Sequence, residues 1–293
     1  MPIKGLSDIR RLPRLGKIRL GIKVEHATKK GVTYPKAVDY FVCPPEVQAV
    51  YPGKPRELRI MIPVEDESIF APQWYRCYSG SRGLVCRGDG EMADRTFDKA
   101  TGGMATQASV ETERREGIPC PGKNCPEYVK KQCRQVMNFQ FMLPEVPGLG
   151  VWQLDTSSFN SIVAINSGVA MIRSVCGRVA MIPLVLSVRP QEVTPEGGKK
   201  KTVWVLHLTA DVSLAEIQRL ALIPASRIML PSPEPPEEEA TPDDLFPESL
   251  PKGKDEAEAE DAQPFVLQLK DFGGRAQPVP PANLGDTPTP APT

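Results

Sequence analysis

Residues 17–24, KIRLGIKV, alternate strictly: Ile18, Leu20, Ile22 and Val24 fall on one side, Lys17, Arg19 and Lys23 on the other. A period of two is the period of a β-strand, so this segment has one apolar face to bury and one cationic face to leave in water. Residues 57–64, ELRIMIPV, repeat the pattern with Leu58, Ile60, Ile62 and Val64 inward. Further strands are predicted at 138–143, 150–156, 178–188 and 201–208. Strands must pair, so the chain reads as mainly β with some helix, an α+β protein.

One clear helix interrupts the strands, in SSFNSIVAINSGVAMIRSVCG, residues 157–177. Ser157 or Ser158 can cap its first turn and Gly177 can close its last. Ile162, Ile165, Val169, Ile172 and Cys176 recur at three- and four-residue spacing along one face. Strand, strand, helix, strand, strand is the order of the latter part of an OB-fold, a Greek-key barrel that binds oligonucleotides. With 138–143 and 150–156 as its second and third strands, its first lies in QWYRCYSG, and residues 77–133 become an insertion between the first two strands. The barrel core then spans about 134–222, and residues 1–70 add strands beside it in an order the pattern leaves open.

That insertion holds five of the seven cysteines, three of them in CPGKNCPEYVKKQC, residues 120–133. A disulfide framework, a reactive thiol and metal ligation are the chemical options. The N-terminal stretch MPIKGLSDIRRLPRLGK has no apolar run after its basic residues, and no window reaches ~18 consecutive apolar residues. The expectation is a cytoplasmic, reducing environment without a membrane span, where an odd cysteine count argues against a complete disulfide set. Structural Zn²⁺ takes four sulfur or nitrogen ligands in a tetrahedron. Pro121, Gly122 and Pro126 favour tight turns beside the thiols, and a short helix from Pro126 would carry Cys133. The expected ligands are Cys86, Cys120, Cys125 and Cys133, with Cys77 as the substitute for Cys86. Cys43 and Cys176 sit in apolar surroundings and read as ordinary buried thiols.

The 36 basic and 36 acidic side chains cancel over the whole chain but are not evenly spread. From Ser232 onward there are 14 acidic and 4 basic residues and 13 prolines, which leaves residues 1–231 with a net charge of +10. Such a tail cannot bury enough apolar surface to offset chain entropy, so residues 232–293 are expected to be disordered and 1–231 to form one basic globular domain. A tethered polyanion would compete with nucleic acid for a cationic surface. DDLFP and PFVLQLKDF, the apolar islands of the tail, read as spacer or as docking peptides.

Nucleic-acid contacts need cations for phosphate and aromatic faces for bases. Three stretches offer both: Trp74, Tyr75, Arg76, Tyr78 and Arg82 in WYRCYSGSR; Lys130, Lys131, Arg134 and Phe139 in VKKQCRQVMNFQF, where Phe139 also reads as core; and Lys199, Lys200, Lys201 and Trp204 in GGKKKTVWV. Arg10, Arg11 and Arg14 extend the cationic surface. An enzyme reading has less to stand on. His26 and His207 form no H-E-x-x-H pattern, Asp89 and Glu91 in RGDGE suit a tight turn, and no phosphate loop or nucleophile elbow occurs.

GLVCRGDGE, CPGKNCPEYVKKQC, NFQFMLPEVPGLGVWQLDTSSFNSI, MIPLVLSVRPQEV and KKKTVWVLHL together resemble the recombination directionality factor-like family of phages, over about residues 1–220. The resemblance implies a phage or prophage origin and an accessory role that switches a large serine integrase from integration to excision. It also leaves room for a protein adaptor that grips a recombinase or replication protein without touching DNA, and for a metal-dependent hydrolase, a label that relatives carry.

Overall fold

The predicted alternation at residues 17–24 is realised as β1 (Arg14–Glu25) in a computed structural model that describes residues 3, 11–25, 33–79, 83–194 and 200–222. Arg10, His26, Arg82, Lys199 and everything after residue 222, the acidic tail included, lie outside the described residues. After β1 come β2 (Thr33–Val42), α1 (Pro45–Gln48), β3 (Glu57–Ile60) and α2 (Glu67–Phe70). The central run is β4 (Gln73–Ser79), β5 (Gly83–Gly88), β6 (Met92–Asp98), β7 (Thr112–Pro119), α3 (Pro126–Val129), β8 (Cys133–Phe141) and β9 (Val151–Thr156). The last part is α4 (Phe159–Cys176), β10 (Leu184–Val193), β11 (Lys201–Ala210) and α5 (Leu214–Leu222).

Eight strands pair in the order β2-β1-β9-β8-β4-β5-β6-β7, and three more in the order β11-β10-β3. β1 runs parallel to β9, with Ile18 opposite Leu154, while β8 pairs antiparallel with β9 and sets Phe139 opposite the same leucine. Ile18, Leu154 and Phe139 are each at most 1% exposed and form a row across three strands. The same core takes Leu184, Leu186, Leu206 and Leu208 from the smaller sheet and the buried side of α4.

α4 forms where the sequence places it. Ser158 accepts a hydrogen bond from the Ser161 amide, and Gly177 closes the helix at φ +69° while donating its amide to the Arg173 carbonyl. Ile162, Ile165, Val169, Ile172 and Cys176 are its buried residues, together with Ser161. Each fully buried isoleucine contributes roughly 1.5–3 kcal/mol. Gly168 lets the helix lie close on β11: a Cβ there would sit 2.7 Å from the Leu208 carbonyl oxygen. Among the described residues α4 is the one helix long and apolar enough to cross a membrane, and here one of its faces packs into the core.

The strand pairings correct the barrel expectation. β4, β8, β9, α4, β10 and β11 do follow one another as predicted, and β4-β8-β9 is an antiparallel meander. An OB-fold closes by pairing its first strand with its fourth and its third with its fifth. Here β4 is flanked by β8 and β5, β9 by β8 and β1, and β10 by β11 and β3, so those edges are taken. The result is a large mixed sheet and a smaller antiparallel one.

The segment 77–133 does lie between two neighbouring strands, β4 and β8, but it is no coreless excursion. It supplies β5, β6 and β7, which extend the large sheet, and a small buried cluster of Cys77, Val85, Cys86, Ala93 and Cys133. Two local boundaries also shift. The helix from Pro126 ends at Val129 because Lys131 turns left-handed at φ +62°, so Cys133 opens β8 instead of closing a helix. The strand expected from residue 178 begins at Leu184, after Met181 at φ +58° and a proline that has no amide to donate.

Candidate functional site

The cysteines converge through strand register. Cys77 of β4 stands opposite Cys86 of β5 on one side and Cys133 of β8 on the other, which puts three thiols in a row. Cys120, just after β7, packs against that cluster, and the missing side chain of Gly88 makes room for it: a Cβ there would lie 2.7 Å from the Cys120 sulfur. Cys125, the residue before α3, completes the group. Arg95 of β6 reaches over both sides, with Nε donating to Cys86 Sγ at 3.4 Å and Nη2 to Cys125 Sγ at 3.7 Å. The Cys125 thiol also donates to Glu127 Oε2 at 2.8 Å, and Glu127 lies 3.6 Å from the Arg95 guanidinium.

Burial pushes the Cys77 and Cys133 thiols up to about 12, with the neighbouring thiols adding to the effect. Burial also raises Cys86, against the pull of Arg95. Glu127 is held below the ordinary carboxylate range chiefly by the bond from Cys125. All seven cysteines are free thiols. Cys43 and Cys176, at 6% and 4% exposure, are buried apart from this cluster in the main core, as expected. Among the described residues no three His, Cys, Asp or Glu side chains are disposed around one point as metal ligands.

A groove of about 550 Å³ opens beside the thiols, lined by Lys123, Lys131, Arg134, Tyr128 and Gln135. A second, of about 290 Å³, adjoins it through Lys123 and Gln135 and is walled by Trp74, Tyr75, Phe159 and Ile162. A third, of about 280 Å³, shares Ser157 with the first and includes Lys36, Asp155 and Trp204.

The predicted contacts therefore divide. Lys131 and Arg134 line one groove, and Trp74 and Trp204 each line another. Both tryptophans already lie beside cations, with the Arg87 guanidinium 4.9 Å from the Trp74 ring centre and that of Arg56 5.7 Å from Trp204. Lys130, Lys200 and Lys201 are exposed but line none of these grooves. Arg76 is a correction: it is 1% exposed, set between Arg134 and Arg87 across three strands, and is closed to any ligand in this structure. The Tyr78 hydroxyl is likewise buried. Lys123 and Phe159 went unread in the sequence, although the Lys123 ammonium lies 4.6 Å from the centre of the Phe159 ring. The available signal was that α4 has more apolar residues than one buried face can hold.

Asp89 uses its carboxylate on its own turn, where Oδ1 accepts from the Glu91 and Met92 amides at 2.7 and 2.8 Å. Those bonds hold its carboxyl below the usual range. His207 is partly buried in β11, and burial followed by nearby Arg189 lowers its proton affinity.

The structure is thus that of a mainly β, mixed-sheet protein with a clustered set of thiols beside a cation-lined groove. The chain belongs to the Gp3-like, recombination directionality factor-like family, whose model matches residues 15–211. Comparison with curated proteins and with solved structures finds no match to this chain.

Proposed function

We propose that this chain is an accessory protein of phage recombination that binds single-stranded DNA and works beside a large serine integrase in the cytoplasm of a bacterial host. Family membership supports the recombination role. The observation that carries the DNA reading is the open groove in which Lys131 and Arg134, expected as contacts from sequence, meet Lys123. Cations that neutralise phosphates release counterions, so the affinity should fall with salt. A mobility shift of the full chain with single-stranded and duplex DNA at two salt concentrations tests this reading. Retardation that weakens with salt supports it, and no retardation at low salt removes it.

The thiols support a structural Zn²⁺ held by Cys86, Cys120, Cys125 and Cys133, with Cys77 as the alternative to Cys86. What supports that donor set is five thiols in one neighbourhood and two sulfur-directed bonds from Arg95, because guanidinium hydrogen bonds favour thiolates. The thiol side chains are not disposed around one point in this structure, so binding would draw four of them together. The ion would supply cross-linking between β5, the β7–α3 connection and β8. Four thiolate ligands would leave no open position for a substrate on the ion, which makes the zinc hydrolase the lesser alternative to a non-enzymatic accessory role.

A second reading, a protein adaptor that touches no bases, is favoured by the outward side of α4. Phe159, Val163, Met171 and Val175 are 52%, 45%, 71% and 36% exposed there, an apolar row that suits a protein surface. A shift seen only when a recombinase already occupies the DNA would favour this reading.

A further inference from the structure

The two adjoining grooves differ in chemistry. The larger one presents three cations, Lys123, Lys131 and Arg134, and among the described residues none of them is in an ion pair. The smaller is walled by Trp74, Tyr75 and Phe159 and is bordered by the Asp89 carboxylate. A carboxylate repels phosphate but tolerates a neutral base against an aromatic wall. Lys123 and Gln135 line both, so the two halves form one continuous seat.

Lys131 adds a separate observation. The turn after α3 is closed by the Gln132 amide donating to the Glu127 carbonyl at 2.9 Å and by the Lys131 amide donating to that of Tyr128 at 2.9 Å. This is the helix ending whose left-handed position suits glycine. A lysine stands there instead, at φ +62°, against its backbone preference and with its side chain exposed in the groove.

We propose that the paired grooves seat one nucleotide of a single strand, with its phosphodiester on Lys123, Lys131 and Arg134 and its unpaired base against Phe159 and Trp74. This rests on the DNA-binding reading above and gives it a place on the surface. A base in a duplex is stacked and paired and cannot enter the smaller groove, so the seat selects single strands. Lys131 is a phosphate contact held where the backbone would accept glycine more readily.

The test is fluorescence anisotropy of the full chain with a labelled oligothymidylate and with a duplex of equal length, at several salt concentrations. Lys131→Gly should weaken the oligothymidylate complex and make the slope of log K against log salt shallower by about 0.7. Its thermal midpoint should not fall, because the substitution relieves the left-handed lysine. Phe159→Ala should weaken the oligothymidylate complex about 5- to 150-fold, as expected for loss of one stacked base. The duplex complex should change little, because no paired base reaches Phe159. A wild-type protein that binds the oligonucleotide while both variants bind it equally well overturns the seat and leaves the DNA reading standing. A wild-type protein that binds neither nucleic acid overturns both. Phe159→Ala that weakens duplex and single strand alike overturns the single-strand selectivity.

Discussion

The Lys17 ammonium lies 2.7 Å from Asp155 Oδ2 on the side of the large sheet opposite the row of Ile18, Leu154 and Phe139. Their side chains are only 13% and 2% exposed. Asp155 also accepts from Asn138 Nδ2 and Gln153 Nε2, both at 2.6 Å, so β1, β8 and β9 are tied on this side by a polar network. Removing one member of a buried pair leaves the other charge uncompensated, at a cost of about 3–5 kcal/mol. Lys17→Ala is therefore expected to lower the urea midpoint sharply. Replacing both partners by apolar residues of similar size, as in Lys17→Met with Asp155→Leu, should cost less than the two single changes added together.

Asp155 also sets a pH dependence. Burial alone would raise its carboxyl, but the Lys17 charge and the bonds from Lys17, Asn138 and Gln153 together outweigh burial and hold it below the ordinary value. A carboxyl depressed on folding contributes stability that is present above its unfolded pKa of about 3.9 and is lost as pH falls through the folded value. Urea unfolding of the wild type and Asp155→Asn at neutral pH and near pH 3 checks this. The stability gap between them should narrow on acidification. A gap that stays constant would mean the carboxylate is not the source.

Gly168 offers a change of opposite sign to helix propensity. On an exposed helix surface Gly→Ala would stabilise by about 1 kcal/mol. Here the added methyl would lie 2.7 Å from the Leu208 carbonyl oxygen and 3.0 Å from its Cβ, in backbone that cannot swing aside. Overpacking of this kind costs about 1–3 kcal/mol, so Gly168→Ala should lower the thermal midpoint despite the better helix former. An unchanged or higher midpoint would show that α4 can lift off β11 freely.

How far the sequence could be read depended on the range of the information. α4 was legible because its cap, its closing glycine and its apolar spacing all lie within a few residues of one another. β1 was legible as a strand for the same reason, but not its parallel pairing with β9, since Lys17 meets Gln153 across most of the domain and no local pattern encodes that partner. The same gap produced the barrel expectation: the order of elements was read correctly, while the edges that β1, β3 and β5 occupy were invisible. Arg76 shows the limit for site residues. Alternation put it on the same strand face as Trp74 and Tyr78, but its burial depends on what covers that face. The thiols were found because their polar context was unusual, whereas their convergence required the β4 register that sets Cys77 between Cys86 and Cys133. Nothing in two adjacent lysines marked Lys131 as left-handed.

The metal proposal makes the last prediction. Thiols as buried as Cys77 and Cys133 are fully protonated at neutral pH without an ion, and a bound Zn²⁺ would displace those protons from the thiols it takes. Elemental analysis of the purified full chain should give about one zinc per chain, in keeping with a four-thiolate structural site. Cys120→Ser, Cys125→Ser and Cys133→Ser should each lose the metal and lower the thermal midpoint, while Cys43→Ser and Cys176→Ser, outside the cluster, should keep it. Gly88→Ala should behave like the ligand variants, since its methyl would meet the Cys120 sulfur at 2.7 Å and the Met92 carbonyl oxygen at 2.9 Å. Cys77→Ser separates the two ligand sets: retention of zinc leaves Cys86 as the fourth ligand, and loss of zinc with Cys86→Ser neutral assigns that place to Cys77. Metal-free protein with an unchanged midpoint in the presence of a chelator would leave the five thiols as a largely buried cluster held by packing and by the hydrogen bonds of Arg95 and Glu127.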